Sequence, residues 1–143
     1  MDLMERIADC ATQGMMCSQM VAMFTLETLG IENKELIRSL YGLGGGVALT
    51  KHTCGCMTGG CCAISYFTGK AGGDEKEDLR HKEALDEYME WFKTVNTEKY
   101  GGWLCRDIIS DDWNNMYERC DELIAESYQK IMEILTEKGI VEL

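Results

Sequence analysis

None of the 143 residues is proline. A chain without proline lacks the residue that most sharply interrupts helices, so its helices run until a glycine or a polar cap stops them. Apolar residues then recur at helical spacing along most of the length. Leu3, Met4, Ile7 and Cys10 predict a first helix from Met1 to about Thr12, broken at Gly14. Met20, Val21, Phe24 and Leu29 share one side of a second, from about Met16 to Leu29, closed by Gly30. Asn33 is a good N-cap for a short third helix through Leu40. Later, Asp74 is placed to cap a long charged helix to about Asn96, with Leu79, Leu85, Tyr88, Met89 and Phe92 as its apolar stripe. Trp103 to Ile109 reads as a short helix. The last runs from near Asp112 to about Lys138 on Met116, Tyr117, Cys120, Leu123, Ile124, Tyr128, Ile131 and Leu135. No segment alternates in the manner of a strand.

Between the third and the long charged helix the chain changes character. Residues 42 to 60 hold seven of the fifteen glycines, and Cys54, Cys56, Cys61 and Cys62 fall in or just after them. Residues 54–67 read as a helix whose first turns carry small residues, which let another helix or a cofactor approach the backbone closely. The glycines do not make a nucleotide loop. Gly42 and Gly44 begin a G-x-G, but position 47 is Val and no strand precedes; Gly69-Lys70 is followed by Ala71. Close helix packing is the better account of them. The expected architecture is an all-α, single-domain bundle of about six helices over residues 1–143, with this Gly/Cys-rich helix at its centre.

Charge narrows the partners. Fourteen Lys and Arg against 25 Asp and Glu leave a formal net charge of −11, which repels phosphate backbones and anionic lipid. Nucleic acid is therefore excluded as a partner, and no apolar run is long enough for membrane insertion. Met1 to Arg6 lacks a basic segment followed by an apolar one, so no signal peptide is expected and the chain reads as cytoplasmic. In that reducing compartment, eight cysteines point to metal binding or redox chemistry more than to structural staples.

The spacing limits which thiols can meet. In one helix Cys54 and Cys61 lie about 10 Å apart along the axis, beyond the roughly 7 Å that a disulfide spans. Adjacent Cys61 and Cys62 are too close to bridge without distorting the peptide. Cys54 must find a partner elsewhere, and Cys17, Cys105 and Cys120 are the candidates. Cys54 is the favoured reactive thiol. It stands at a helix start, near the positive end of the macrodipole, with Lys51 and His52 just upstream, and both influences favour a thiolate. Cys17 also falls in a first helical turn, and Arg106 follows Cys105. A cysteine on an apolar stripe is ordinarily a small hydrophobe, and Cys10, Cys61, Cys62 and Cys120 taken singly read so. Met15, Met16, Met20 and Met23 and the three tryptophans read as core, although the Met-rich second helix is also a candidate homodimer interface.

Taken together, Cys17-Ser18-Gln19-Met20-Val21, Gly42-Leu43-Gly44-Gly45-Gly46, Cys54-Gly55-Cys56-Met57-Thr58-Gly59, Cys105 and Cys120 resemble the C_GCAxxG_C_C family of redox-active proteins over roughly residues 5–130. The resemblance implies a small all-helical protein whose four characteristic cysteines, here Cys17, Cys54, Cys105 and Cys120, form a redox-active disulfide or a cofactor site. Gly55, Thr58 and Gly59 keep the family's motif, whereas Cys56 stands where alanine is usual and Cys61 and Cys62 are additions. These extra thiols, with Gly55 and Gly59, are candidate cofactor-binding residues. Three expectations follow. The first is thiol–disulfide chemistry centred on Cys54, acting on a redox partner or small-molecule substrate. The second is an electron-transfer module holding an iron–sulfur cluster or zinc through Cys17, Cys54, Cys105 and Cys120. The third is a helical interaction protein without redox chemistry.

Overall fold

Three helices stop in the same way. Gly14, Gly30 and Gly139 have φ of +86°, +74° and +67°, a conformation that costs other residues energy. Each glycine amide donates to the carbonyl three residues back, at 3.0, 3.0 and 3.1 Å. The next residues, Met15, Ile31 and Ile140, donate five back, to Cys10, Leu26 and Leu135, at 3.0, 2.9 and 2.9 Å. Each closure places an apolar side chain directly after its glycine, where it turns back toward the helix just completed.

The computed structural model describes residues 1–143. Its helices are α1 (Leu3–Thr12), α2 (Cys17–Thr28), α3 (Lys34–Ser39), α4 (Gly55–Thr68), α5 (Arg80–Tyr100), α6 (Cys105–Ile108) and α7 (Met116–Glu137). Short 3-10 turns cover Tyr41–Leu43 and Trp113–Asn115. There is no sheet, only one antiparallel bridge between Thr53 and Leu104. The protein is all-α, as its periodicity predicts, and no helix is long and apolar enough to cross a membrane.

Helices α2 and α4 share the centre. Most of α2 is buried, including the polar Ser18, Gln19 and Thr25. Gly55 and Gly59, one turn apart on α4, face Ser18: a Cβ on Gly59 would strike the Ser18 carbonyl oxygen and come within 2.8 Å of its Cα. The bare backbone thus lets the two helices approach closely. Gly60 opens toward α5, where a Cβ would meet the Tyr88 ring. Tyr88 is fully buried and donates its hydroxyl hydrogen to the Cys56 carbonyl at 2.7 Å. Phe92 of α5 and Ile124, Ile131, Ile134 and Leu135 of α7 complete the core, each removing an apolar surface worth about 1.5–3 kcal/mol.

Two boundaries differ from the sequence expectation. Helix α5 starts at Arg80, not after Asp74. Glu75 turns its carboxylate back to the Gly72 amide at 2.8 Å, and Asp78 accepts from the Arg80 amide at 2.9 Å, so local acidic side chains close turns where a helix start was expected. Leu79, assigned to the apolar stripe, is consequently 81% exposed. Helix α7 begins only at Met116, because Asp112 accepts from the Asn114 amide at 2.9 Å and holds a tighter turn first. Tyr117, also assigned to the apolar stripe, lies in the first turn of α7 and is 68% exposed.

The α2–α4 contact makes a testable demand. Gly59→Ala should destabilise the fold by about 1–3 kcal/mol, because the added methyl meets backbone that cannot rotate away. Gly73→Ala, in a turn with nothing near its Cβ, should stay within about 0.5 kcal/mol of the parent. Urea denaturation of both variants measures the difference.

Candidate functional site

Three helices start with a cysteine at one end of the bundle. Cys17 opens α2, Cys54 is the N-cap of α4, and Cys105 opens α6. Cys120 approaches from α7. All four line a single cavity of about 330 Å³ whose other walls are largely apolar, among them Met15, Met16, Met20, Ile108, Trp113 and Ile124. Polar side chains fix the start of α2. Gln19 accepts from the Met16 amide at 3.0 Å and donates to the Ile37 carbonyl at 3.1 Å, while Ser18 donates to the Leu40 carbonyl at 2.8 Å. Gly55 does the same work from α4, since a Cβ there would lie 2.5 Å from the Cys17 sulfur.

The glycine run forms the opposite wall. Gly45, Gly46, Val47, Ala48, Leu49 and Lys51 all have φ between +52° and +76°. For the four that are not glycine, the left-handed conformation costs about 1–2 kcal/mol each. The turn closes on itself: the Leu49, Lys51 and His52 amides donate to the Gly44, Gly45 and Gly46 carbonyls at 3.2, 2.9 and 2.9 Å. It is then pinned to α6. The Cys105 amide donates to the His52 carbonyl at 2.6 Å and the Arg106 amide to the Lys51 carbonyl at 3.0 Å. A Cβ on Gly46 would lie 2.7 Å from the Cys105 Cβ, and one on Gly44 would overlap Met16. The glycines therefore serve close packing, as the sequence suggests, but of a strained turn against two walls of the cavity. Strain of this kind persists only where surrounding contacts over-determine it, and it gathers at functional sites.

The electrostatics single out Cys17. The Cys56 thiol is the largest influence lowering its pKa; desolvation opposes, and the backbone amides of Gly45, Ser18 and Gly55 add to the lowering. Cys56 responds in the opposite sense, driven well above its ordinary value by Cys17, then by Cys54, then by burial. Burial pushes Cys105 up to about 12, with Cys54 and Cys17 adding to it. Burial likewise raises Cys120. Lys51, expected to act on Cys54, is turned to Asp111: its ammonium donates to the Asp111 carboxylate at 2.9 Å and lies 5.2 Å from the Trp113 ring centre. His52 faces Thr53, with Nδ1 3.0 Å from the hydroxyl.

The four family cysteines and Gly55 thus meet at the cavity, and Cys56, fully buried, lies behind Cys17 and Cys54 without lining it. Cys61, Cys62 and Gly59 are elsewhere on α4. The Cys61 sulfur is 3.7 Å from that of Met89, Gly59 packs on Ser18, and burial raises the pKa of both Cys61 and Cys62. Cys10 is buried in the core. Sequence reasoning assigned Met15 and Met16 to the core and did not single out Asp121; all three line the cavity. The only sequence signal for the methionines is their position directly before Cys17.

Thiols are the right donors for zinc or an iron–sulfur cluster. No three His, Cys, Asp or Glu side chains are grouped to hold a metal ion. All eight cysteines are free thiols. The cavity is a largely apolar chamber with one acidified thiol at its wall.

Residues 15–134 match the family model described as "Putative redox-active protein (C_GCAxxG_C_C)". No curated protein and no solved structure matches the chain. The matched span takes in α2 through most of α7, with all four cavity cysteines inside it. The chain belongs to the C_GCAxxG_C_C family.

Proposed function

We propose that the protein is a dithiol–disulfide redox protein in which Cys17 is the nucleophile and Cys56 the resolving thiol. The observation that carries this reading is the pair itself: a cavity-lining cysteine whose thiolate is favoured by a second thiol that is fully buried and does not line the cavity. A substrate entering the cavity meets Cys17 and not Cys56. The Cys17 thiolate attacks one sulfur of a substrate disulfide, the substrate S–S bond breaks, and the first half of the substrate departs as a thiolate. The Cys56 thiol, no longer facing a Cys17 thiolate, gives its proton to water and its sulfur attacks Cys17, forming an internal disulfide and releasing the second half as a thiolate. Two electrons pass from protein to substrate, and an external dithiol restores the reduced protein by the reverse exchange.

This reading keeps the thiol chemistry expected from the sequence but shifts its centre from Cys54 to Cys17. Two features support the shift. The Cys17 sulfur has amides of two helix starts and of the left-handed turn around it, while the lysine upstream of Cys54 is engaged by Asp111. Cys54 remains a second cavity-lining thiol, and it too raises the Cys56 pKa.

Limited oxidation with a diazenedicarboxamide, followed by non-reducing digestion and fragmentation mass spectrometry, tests the pairing. The expected product links Cys17 to Cys56; an oxidised protein in which Cys17 stays a thiol overturns the proposal. Acidity supplies an independent test. The rate of Cys17 alkylation by iodoacetamide should rise with pH about a midpoint below that of an ordinary thiol, because the thiolate is the reactive form and its pKa is lowered. Cys56→Ala removes the largest lowering influence and should move that midpoint upward. Cys56→Ser keeps a hydrogen-bond donor, so it should hold the midpoint closer to the parent value while leaving the mixed disulfide on Cys17 unresolved.

A further inference from the structure

We infer that the cavity selects small, uncharged, apolar disulfides, aromatic ones above all, and excludes anionic ones; this rests on Cys17 being the nucleophile. The lining carries no lysine, arginine or histidine, and its only carboxylate is Asp121. An anionic substrate such as a peptide disulfide with free carboxylates would have to lose its water beside a thiolate and a carboxylate with no cation in return, which is costly.

The cations nearest the cavity are already committed. Lys51 binds the Asp111 carboxylate at 2.9 Å and its backbone carbonyl at 3.1 Å. Arg106 donates through Nε to the Lys51 carbonyl at 3.2 Å, and Arg119 donates to the Ile108 carbonyl at 3.0 Å and the Ser110 hydroxyl at 2.9 Å. Lys51 is paired with a carboxylate, the two arginines are tethered to the left-handed turn and the α6–α7 connection, and none of the three lines the cavity.

Size and lining point to an occupant of modest dimensions. About 330 Å³ is at the small end of ligand pockets, which run from roughly 300 to 1,000 Å³. Methionines line it beside Trp113 and Tyr117, and thioethers adapt their shape and contact aromatic rings favourably. The rim is apolar as well: Leu49 is 59% and Tyr117 68% exposed, an arrangement that leaves oily surface in water at the cavity mouth.

The test compares the exchange rates of Cys17 with 2,2′-dithiodipyridine, which is neutral and aromatic, and with 5,5′-dithiobis(2-nitrobenzoate), which is a dianion. Cys17 modification is followed by quenching and peptide mass spectrometry, and the ratio of rates is referred to that of the chain unfolded in guanidinium chloride. The folded protein should raise the neutral-to-dianion ratio at least tenfold. Met116→Glu should slow the neutral reagent several-fold, and a carboxylate in the first turn of α7 is compatible with that helix start. Asp121→Asn should speed the dianion relative to the parent. A folded ratio equal to the unfolded one overturns the selectivity while leaving Cys17 as nucleophile intact, and equal ratios with strong protection of Cys17 from both reagents would mean that the mouth admits no small molecule. Modification of Cys54 with Cys17 untouched overturns both proposals.

Discussion

Helix α4 starts at Gly55, and the missing side chain there decides where the Cys17 sulfur can sit. A methyl at that position would occupy the sulfur's place, and one at Gly59 would push the α2 backbone away. Because neither exists, the start of α2 lies directly on the start of α4, and two helix N-termini converge. Unpaired amides at a helix start favour negative charge nearby. Bringing two together gives the Cys17 sulfur amides from both Ser18 and Gly55. The acidity of this thiol is therefore a packing property before it is an electrostatic one.

The left-handed turn supplies the third amide, from Gly45, and closes the chamber. Its four non-glycine residues at positive φ oppose folding, and other contacts must offset them. The Lys51–Asp111 pair is the clearest of these, although an ion pair at the surface contributes only about 0–1 kcal/mol. Backbone hydrogen bonds between His52 and Cys105 and between Lys51 and Arg106 carry more of the load, since they anchor the turn to α6. Ser110 and Asp111, on the other side of that pair, also have positive φ, so two strained segments brace each other across the cavity wall.

Much of this was legible in the residues. The apolar periodicity found the helices, and Gly14 and Gly30 marked the ends of the first two, because both depend on local geometry alone. The small residues of α4 read correctly as a close-approach surface. The start of α5 was not legible. Asp74 and Asp78 are chemically equivalent caps, and the choice between them depends on Glu75 and Arg80 closing turns around them. The prominence of Cys17 was hidden for a similar reason. A sequence shows Lys51 beside Cys54 but not that Lys51 turns to Asp111, sixty residues on. It shows a cysteine at 56 but not that this thiol lies behind Cys17 from another helix.

An acidified thiol in an apolar chamber is a contradiction that the site has to resolve. Burial raises thiol pKa values, as Cys105 and Cys120 on the same walls illustrate. Cys17 escapes because its stabilisation comes from oriented dipoles, namely backbone amides and one thiol, and not from a neighbouring cation. A cation would have acidified the thiol equally well, but it would also have attracted anions into the chamber. Dipoles aimed at the sulfur favour the thiolate at short range and leave little field at the cavity mouth. The same choice of donors that makes the nucleophile reactive therefore keeps the chamber apolar, and reactivity and exclusion of charge follow from one piece of backbone geometry.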